Sequence, residues 1–301
     1  MPALPIDVLC LGHAAYDLTF AVSHHPAPDE KSIADSLVSC GGGPAANAAV
    51  AVARLGGRSA FAGYLGRDVY GDLHLAELQA AGVDTRLVVR GADPTPLSVI
   101  LAKPDGRRSL VNYRGDTRPL PSDVIDPTIF QPRVILFDGL EPDASLPAAR
   151  WARAQGIPTV LDAGSVHRGT MALVDQVDFV VASAKFGLEY SGAPDAETAV
   201  SYLARMAGTA VITLGEHGLV WQKGAAMGKL SAFAVTAVDS TGAGDAFHGA
   251  FAYGLAAGFA WPELLRYASA AAALCCATIG ARVGLPSGTA VADFLAASTN
   301  P

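Results

Sequence analysis

The chain has 301 residues, of which 51% are hydrophobic and 16% charged, and its 28 acidic residues outnumber 21 Lys and Arg to give a formal net charge of −7. That composition excludes disorder, and an acidic balance with no basic run interleaved by aromatics excludes a nucleic-acid surface. A chain this long buries roughly 75% of its unfolded surface, and Cys10, Cys40, Cys275 and Cys276, with no Cys-x-x-Cys spacing, fit reduced thiols rather than zinc or redox chemistry.

In chain order, the opening "MPALPIDVLCLGHAAYDLTFAV" lacks a basic n-region and carries Asp7 and Asp17, which suits a buried first strand and not a signal peptide. Strand-like runs then alternate with helical patterns: "IDVLCLG" from Ile6, "PAANAAVAVARLGG" from Pro44, "RSAFAGYLG" from Arg58 and "DVYGDLHLAELQAAGV" from Asp68, with Asp68 as N-cap and Gly82 as the stop. Further units follow at "RVILFDG" from Arg133, "LPAARWARAQGI" from Leu146, "PTVLDAG" from Pro158, "VDFVVAS" from Val177 and "TAVITLG" from Thr209. This alternation predicts βαβ units and a doubly wound, mainly parallel sheet covered on both faces.

Two stretches, 16–39 and 95–113, break the rhythm with short alternating strands and Pro, Gly or Asp turns. They read either as ordinary surface hairpins or as a small antiparallel β lid, with 1–15, 40–94 and 114–301 as the core. The longest small-apolar stretch, "ASAAAALCCATIGA" from Ala268, is too short and alanine-rich to span a bilayer, so a soluble cytoplasmic protein is expected.

Two glycine-rich segments carry the candidate chemistry. In "VDSTGAGDAFHGAF", from Val238 to Phe251, small and turn-forming residues precede an apolar pattern of helical spacing, which reads as strand, glycine turn and helix start. Such a turn exposes unpaired N–H groups at a helix N-terminus, an anion site. Asp245 either caps this helix or, placed beside the Gly242, Ala243 and Gly244 amides, takes a proton from a hydroxyl that attacks a phosphoryl group held there. The second segment, "CGGGPAANAAVAVARLGG" from Cys40, sets three glycines before Pro44, with Asn47 on the first turn facing the same mouth; a hinge explains the glycines equally well. No dinucleotide fingerprint, P-loop, His-Glu-x-x-His or Gly-x-Ser-x-Gly is present.

"DSTGAGDAFHGAF" closely resembles the second signature of the ribokinase-like, or PfkB, carbohydrate kinases, and "GGGPAANAAVAVARLGG" resembles their first; the order of elements extends the resemblance over essentially the whole chain. The resemblance implies a three-layer α/β core with a small β-sheet lid, which transfers the γ-phosphoryl of ATP, with Mg2+, to a hydroxymethyl group, usually of a sugar. It places Asp245 on the catalytic base, Gly242, Ala243 and Gly244 on the anion hole, and Asp17, Gly42, Gly43 and Asn47 at the substrate. It also places Asp239 and Thr241, with carbonyls of "ATIGARVGLPS", around a monovalent cation such as K+, and Thr213, Gly215 and Gly218 along the nucleotide; by pattern alone the last segment is a plain hairpin.

One departure is that Ser183, Ala184, Lys185 and Phe186 stand where many members carry Asn-x-x-Glu, leaving magnesium to ATP oxygens, water and Asp239. Lys31 and Asn112 sit where the similar sulfofructose kinase branch places groups for an anionic substituent, but Leu140 replaces the basic residue expected near "FDGLEPD". Lys31 reads equally as a solvated lysine. A sugar kinase is expected, with a nucleoside kinase or a catalytically silent sugar- or nucleotide-binding relative as rivals. Exposed lid edges point to a homodimer.

Overall fold

The alternating runs assemble into a twisted sheet in a computed structural model, which describes residues 3–105 and 107–298. In chain order the strands are β1 (Leu4–Leu11), β2 (Ala15–Ala21), β3 (Ser36–Gly42), β4 (Ser59–Gly66), β5 (Asp84–Gly91), β6 (Leu97–Ala102), β7 (Arg108–Tyr113), β8 (Phe130–Phe137), β9 (Thr159–Ala163), β10 (Phe179–Ser183), β11 (Thr209–Thr213), β12 (Leu219–Lys223) and β13 (Ala226–Leu230). The helices are α1 (Pro44–Arg54), α2 (Val69–Ala80), α3 (Pro142–Gln155), α4 (Arg168–Leu173), α5 (Ala184–Ser191), α6 (Ala196–Ala207), α7 (Ala243–Ala257), α8 (Trp261–Cys275), α9 (Ala281–Gly284) and α10 (Gly288–Ala297). Among the described residues no helix is long and apolar enough to cross a membrane.

The large sheet has the order β13-β12-β11-β10-β9-β8-β1-β4-β5. Its pairs are parallel except where β12 and β13 add as antiparallel hairpin strands. Each inner strand splits its side chains between two cores with period two: Val8, Cys10, Val134, Leu136, Val181 and Val211 point to the α1, α7 and α8 side. Leu9, Leu11, Ile135, Phe137, Val180 and Ile212 point to the α3 and α6 side. Burial on both faces is why these strands read as continuous apolar runs. The alanine content has a packing cause as well. A Cβ on Gly249 of α7 would lie 2.7 Å from the Ala51 Cβ and 2.8 Å from the Ala48 carbonyl, so α1 and α7 approach closely only through small residues.

A second sheet, in the order β3-β2-β6-β7, stands apart from the first. It is not wholly antiparallel: β2 pairs with β3 and β6 with β7 as antiparallel strands, but β2 and β6 are parallel because two separate excursions of the chain meet there. The glycine turn also differs from expectation. No strand precedes it; residues 231–240 run without regular structure to the turn at Thr241–Gly242. The chain reverses sheet direction between β1 and β8, the switch point at which α/β folds open a crevice beyond the strand ends.

Candidate active site

The crevice at that switch point is a cavity of about 340 Å3 lined from three sides. The strand ends contribute His13, Asp138 and Asp162, the starts of α1 and α7 contribute Asn47 and Asp245, and the small sheet contributes Asp17, Ser98 and Asn112. Asp138 pins the first two sides together. Its Oδ2 accepts from the His13 N–H at 2.7 Å and the Ala45 N–H at 3.2 Å, and its Oδ1 accepts from the Leu140 N–H at 2.8 Å.

Asp245 occupies the first turn of α7 but caps nothing; the N-cap is Gly242, at φ 80°, with no side-chain cap bond. Among the described residues its side-chain partner is Asn47, whose Nδ2 donates to Asp245 Oδ2 at 2.7 Å. The orientation of that amide is set from behind. Arg282, in α9, is 3% exposed and donates from Nε and Nη2 to Asn47 Oδ1 at 3.3 and 3.2 Å, so the amide oxygen must face Arg282 and the amide nitrogen Asp245. Arg282 is itself held by Glu77 Oε2 at 3.3 Å and His74 Nε2 at 2.8 Å, both on α2. Burial raises the pKa of Asp245, while the Asn47 bond and the Arg282 charge oppose that rise.

The three glycines of the first signature serve three different neighbours. A Cβ on Gly41 would lie 2.0 Å from Arg282 Nη1, and one on Gly42 would lie 2.2 Å from the Asp17 carboxyl carbon. Gly43 has φ 92° and passes so close to Ala14 that a Cβ would be 2.6 Å from its Cα. Gly41 and Gly42 therefore make room for the protein's own ionic groups; of the three, only Gly43 lines the cavity.

The turn at Gly242–Gly244 is braced by His248, one helical turn on. His248 Nδ1 lies 2.6 Å from the Gly244 carbonyl and 3.3 Å from Asp162 Oδ2, and Nε2 lies 3.1 Å from the Val181 carbonyl. The ring thus ties the turn to the middle of β10. Burial lowers the pKa of this ring, and the two carbonyls with Asp245 counter it. A side chain added at Gly244 would meet nothing nearer than 4.0 Å, so its backbone is open to a ligand.

On the far side of the turn lies a second cavity of about 430 Å3, lined by Gly215, Gly218, Phe233, Val235, Phe247 and Ala272 among others. Thr241, Gly242 and Asp245 face the first cavity, while Ser240, Ala243 and Phe247 face the second. The turn is the partition between a polar chamber and an apolar slot.

Some expected site residues are placed elsewhere. Lys31 lies exposed in the 22–35 loop, outside the residues lining the cavity, where its ammonium stays hydrated. Thr213 ends β11 with its hydroxyl donating to the Ala182 carbonyl at 3.3 Å and does not line the second cavity, whereas Gly215 and Gly218 do. Asp239 is buried and used as a staple: Oδ1 accepts from the Thr241 N–H and hydroxyl at 2.9 and 2.6 Å, and Oδ2 accepts from the Gly280 N–H at 2.8 Å. No group of three or more His, Cys, Asp or Glu that could hold a metal occurs among the described residues. Ser183 caps α5, accepting from the Phe186 N–H at 3.0 Å and donating to the Gly164 carbonyl at 2.8 Å.

Sequence reasoning missed Arg108 and Arg114, which line the first cavity, as well as His13, Asp138, Asp162, His167, His248 and Arg282. For the two arginines a signal was present. Arg108 shares a face of β7 with Leu110 and Asn112, and Arg114, the residue after the strand, continues the same period-two alternation into the cavity.

Four carboxylates share the first cavity, and their mutual cost is visible at Asp17. Burial first, and then the Asp245 charge, push its pKa from 3.8 up to about 7. Between those two values the folded protein holds a proton that the unfolded chain has released, so stability falls as pH rises through that window. Asp17→Asn is expected to raise the Tm of the ligand-free protein at pH 8, by about 1.6 °C per kcal/mol relieved for a chain of this length, and to change it little near pH 4. Thermal melts at pH 4, 6 and 8 check this, and a variant less stable than the wild type at pH 8 contradicts it.

The pfkB family carbohydrate kinase model matches residues 5–288. The ribokinase of Bacillus subtilis (strain 168) is 27% identical over 296 residues, covering 96% of this chain and 99% of its own. The structure of Arabidopsis thaliana ribokinase complexed with ribose and ATP superposes with a TM-score of 0.83 at 26% identity, over 98% of this chain and 100% of that one. The adenosine kinase from Sinorhizobium meliloti superposes equally, with a TM-score of 0.83 at 27% identity, over 97% and 99% of the two chains.

Proposed function

The chain belongs to the pfkB family of carbohydrate kinases, and from that premise we propose that Asp245 is the general base of an ATP-dependent phosphoryl transfer to a primary hydroxyl of a ketose- or furanose-type sugar bound in the first cavity. The observation that carries this reading is the partition: a single turn presents Gly242 and Asp245 to the polar chamber and Ala243 to the apolar slot. An adenine ring fits the slot, between Phe233, Val235, Phe247 and Ala272, and the uncovered Gly244 backbone at the start of α7 receives its phosphates. ATP supplies the transferable phosphoryl group, and magnesium neutralises its charge. The chain supplies hydroxyl-binding carboxylates, chiefly Asp17 with Asn47 beside it, the base, and N–H donors at the turn.

The small sheet is read as a lid, since β2, β6 and β7 form the chamber wall opposite α1 and α7. A nucleoside acceptor fits poorly. Among the described residues no Phe, Tyr or Trp lines the first cavity, because Tyr16 packs on Tyr70 at 5.3 Å and Phe20, like Tyr16, alternates away from Asp17 along β2. A monovalent cation such as potassium has candidate ligands in Asp239 and in the carbonyls of Thr241 and Ala281, which converge within 3.8 and 3.7 Å of Cys275 Sγ. A homodimer has a candidate surface in the outer face and edge of the lid, where Leu37, Val111 and Tyr113 are more than half exposed; light scattering at the monomer mass of 30.8 kDa removes it.

The experiment is coupled ADP release with MgATP across fructose, ribose, 2-keto-3-deoxygluconate, adenosine and fructose phosphates, in potassium and then in tetramethylammonium. Turnover on a sugar supports the reading. Turnover confined to adenosine replaces it, and a rate indifferent to the cation removes potassium.

A further inference from the structure

The first cavity has a basic wall as well as an acidic one, and the basic wall is supplied by the lid edge. Arg108 and Arg114 both line it, and among the described residues neither has a carboxylate within ion-pair distance. Nearby arginines are engaged: Arg118 pairs with Asp93 at 2.9 Å and Arg282 with Glu77 at 3.3 Å. Six residues of extended chain separate Arg108 from Arg114, about 20 Å between Cα atoms, so the two serve opposite ends of the chamber. Arg108 acts electrostatically on Asp17 and Asp245, the reacting end. Arg114 acts on His13, His167 and Glu141, the far end.

The far end is furnished with further donors. The Nδ1 of His167 accepts from the Thr170 N–H at 3.5 Å, which leaves Nε2 to carry the proton of the neutral ring. Burial holds His13 neutral, with a pKa pushed down to about 3, so one of its ring nitrogens is an N–H donor. Asn112, level with Ser98 and Asp17 across the small sheet, adds an amide between the two ends, and Leu140, where a basic residue was expected, lines the cavity without charge. A guanidinium with neutral imidazole and amide donors around it matches a planar or tetrahedral oxyanion, to which arginine binds with two parallel bonds.

We propose that the acceptor sugar carries an anionic group, a phosphate, carboxylate or sulfonate, remote from the hydroxyl that is phosphorylated, and that Arg114 with His13 and His167 is the subsite that selects it. This rests on the kinase reading for the orientation of the sugar: its reacting hydroxyl at Asp245 puts the opposite substituent at Arg114. Arg114 supplies the discrimination because the rest of the chamber disfavours an anion, with Asp17 on the small sheet itself and Asp138, Asp162 and Asp245 on the strand-end and helix sides.

The test is isothermal titration with fructose, fructose 1-phosphate, fructose 6-phosphate, 2-keto-3-deoxygluconate and 6-deoxy-6-sulfofructose on wild type, Arg114→Ala and Arg114→Lys, with ADP release measured on the same preparations. Arg114 is exposed just past the end of β7, so truncation leaves the core intact, and melting curves verify it. One anionic probe is expected to bind at least about 10-fold tighter than fructose, and that preference to fall about 10- to 100-fold in Arg114→Ala, the range for hydrogen bonds to a charged group. Arg114→Lys is expected to recover only part of it. Fructose bound as tightly as every anionic probe, or a preference unchanged in Arg114→Ala, overturns the inference. If turnover then persists on a neutral sugar, the kinase reading stands alone. An Arg114-dependent preference without ADP release supports the subsite and overturns the kinase reading instead.

Discussion

Asp245→Asn is expected to lower kcat by about 10²- to 10⁴-fold, the contribution of a positioned general base, with ATP affinity within a few-fold of wild type. The substitution is isosteric, and its amide oxygen can still accept from Asn47 Nδ2 at the 2.7 Å position, so α1 and α7 keep their contact. Nothing in the apolar slot is touched, because Asp245 lines the polar chamber and is not among the residues of the slot. Stability is expected to move the other way. The Asp245 charge raises the pKa values of Asp17, Asp138 and Asp162, and its own is raised by burial, so its removal relieves the folded state at every pH above the ordinary carboxylate range. An inactive variant that melts higher at pH 8 and binds ATP normally is the expected result of single-turnover kinetics, melting and nucleotide titration together. Wild-type turnover in Asp245→Asn would falsify the role.

How much of this was legible in the sequence depends on how local each feature is. Strand β1, helix α1 and the capped helix α2 follow from short patterns, and Asp68 indeed accepts from the Gly71 N–H at 2.8 Å while Gly82 leaves α2 at φ 82°. Asp245 was legible because a carboxylate in a glycine turn has no packing reason to be there. Arg282 was not. It stands in short α9, within a glycine-containing stretch whose pattern says only that carbonyls are free to converge, and its partners Asn47, His74 and Glu77 lie more than 200 residues away in the chain. A buried arginine is specified by three distant polar groups at once, and no local periodicity encodes that. The run Gly41, Gly42 and Gly43 was legible as a close approach, yet what approaches at the first two is a side chain from elsewhere in the fold. The strand expected before the glycine turn failed for a related reason: "AFAVTAV" has β propensity, but residues 231–240 pair with no sheet, and part of them lines the apolar slot instead.

Arg282 gives the second large effect, and it acts through Asn47 rather than on substrate. Arg282→Met removes both donors that face the Asn47 oxygen, leaving the amide free to turn and withdraw Nδ2 from Asp245. A base misplaced by about 1 Å can cost on the order of 10²-fold in rate, and kcat is expected to fall by about 10- to 100-fold with the KM for ATP little changed. The pH profile separates this positioning role from simple loss of packing. Asn47 and Arg282 both hold the pKa of Asp245 down against burial, so without them it rises, and the base stays protonated to higher pH. The acid limb of the kcat/KM profile therefore moves upward, and the deficit is larger at pH 6 than at pH 9. Stripping the cation from buried His74 and half-buried Glu77 also destabilises the fold, so Asn47→Ala is the companion variant. It deletes the bond to Asp245 while leaving the Arg282 contacts to α2 in place, and the same upward displacement of the acid limb is expected with a smaller loss of Tm. A fall in kcat with an unmoved acid limb in both variants assigns Arg282 and Asn47 to the scaffold alone and leaves Asp245 to be tuned by burial and its carboxylate neighbours.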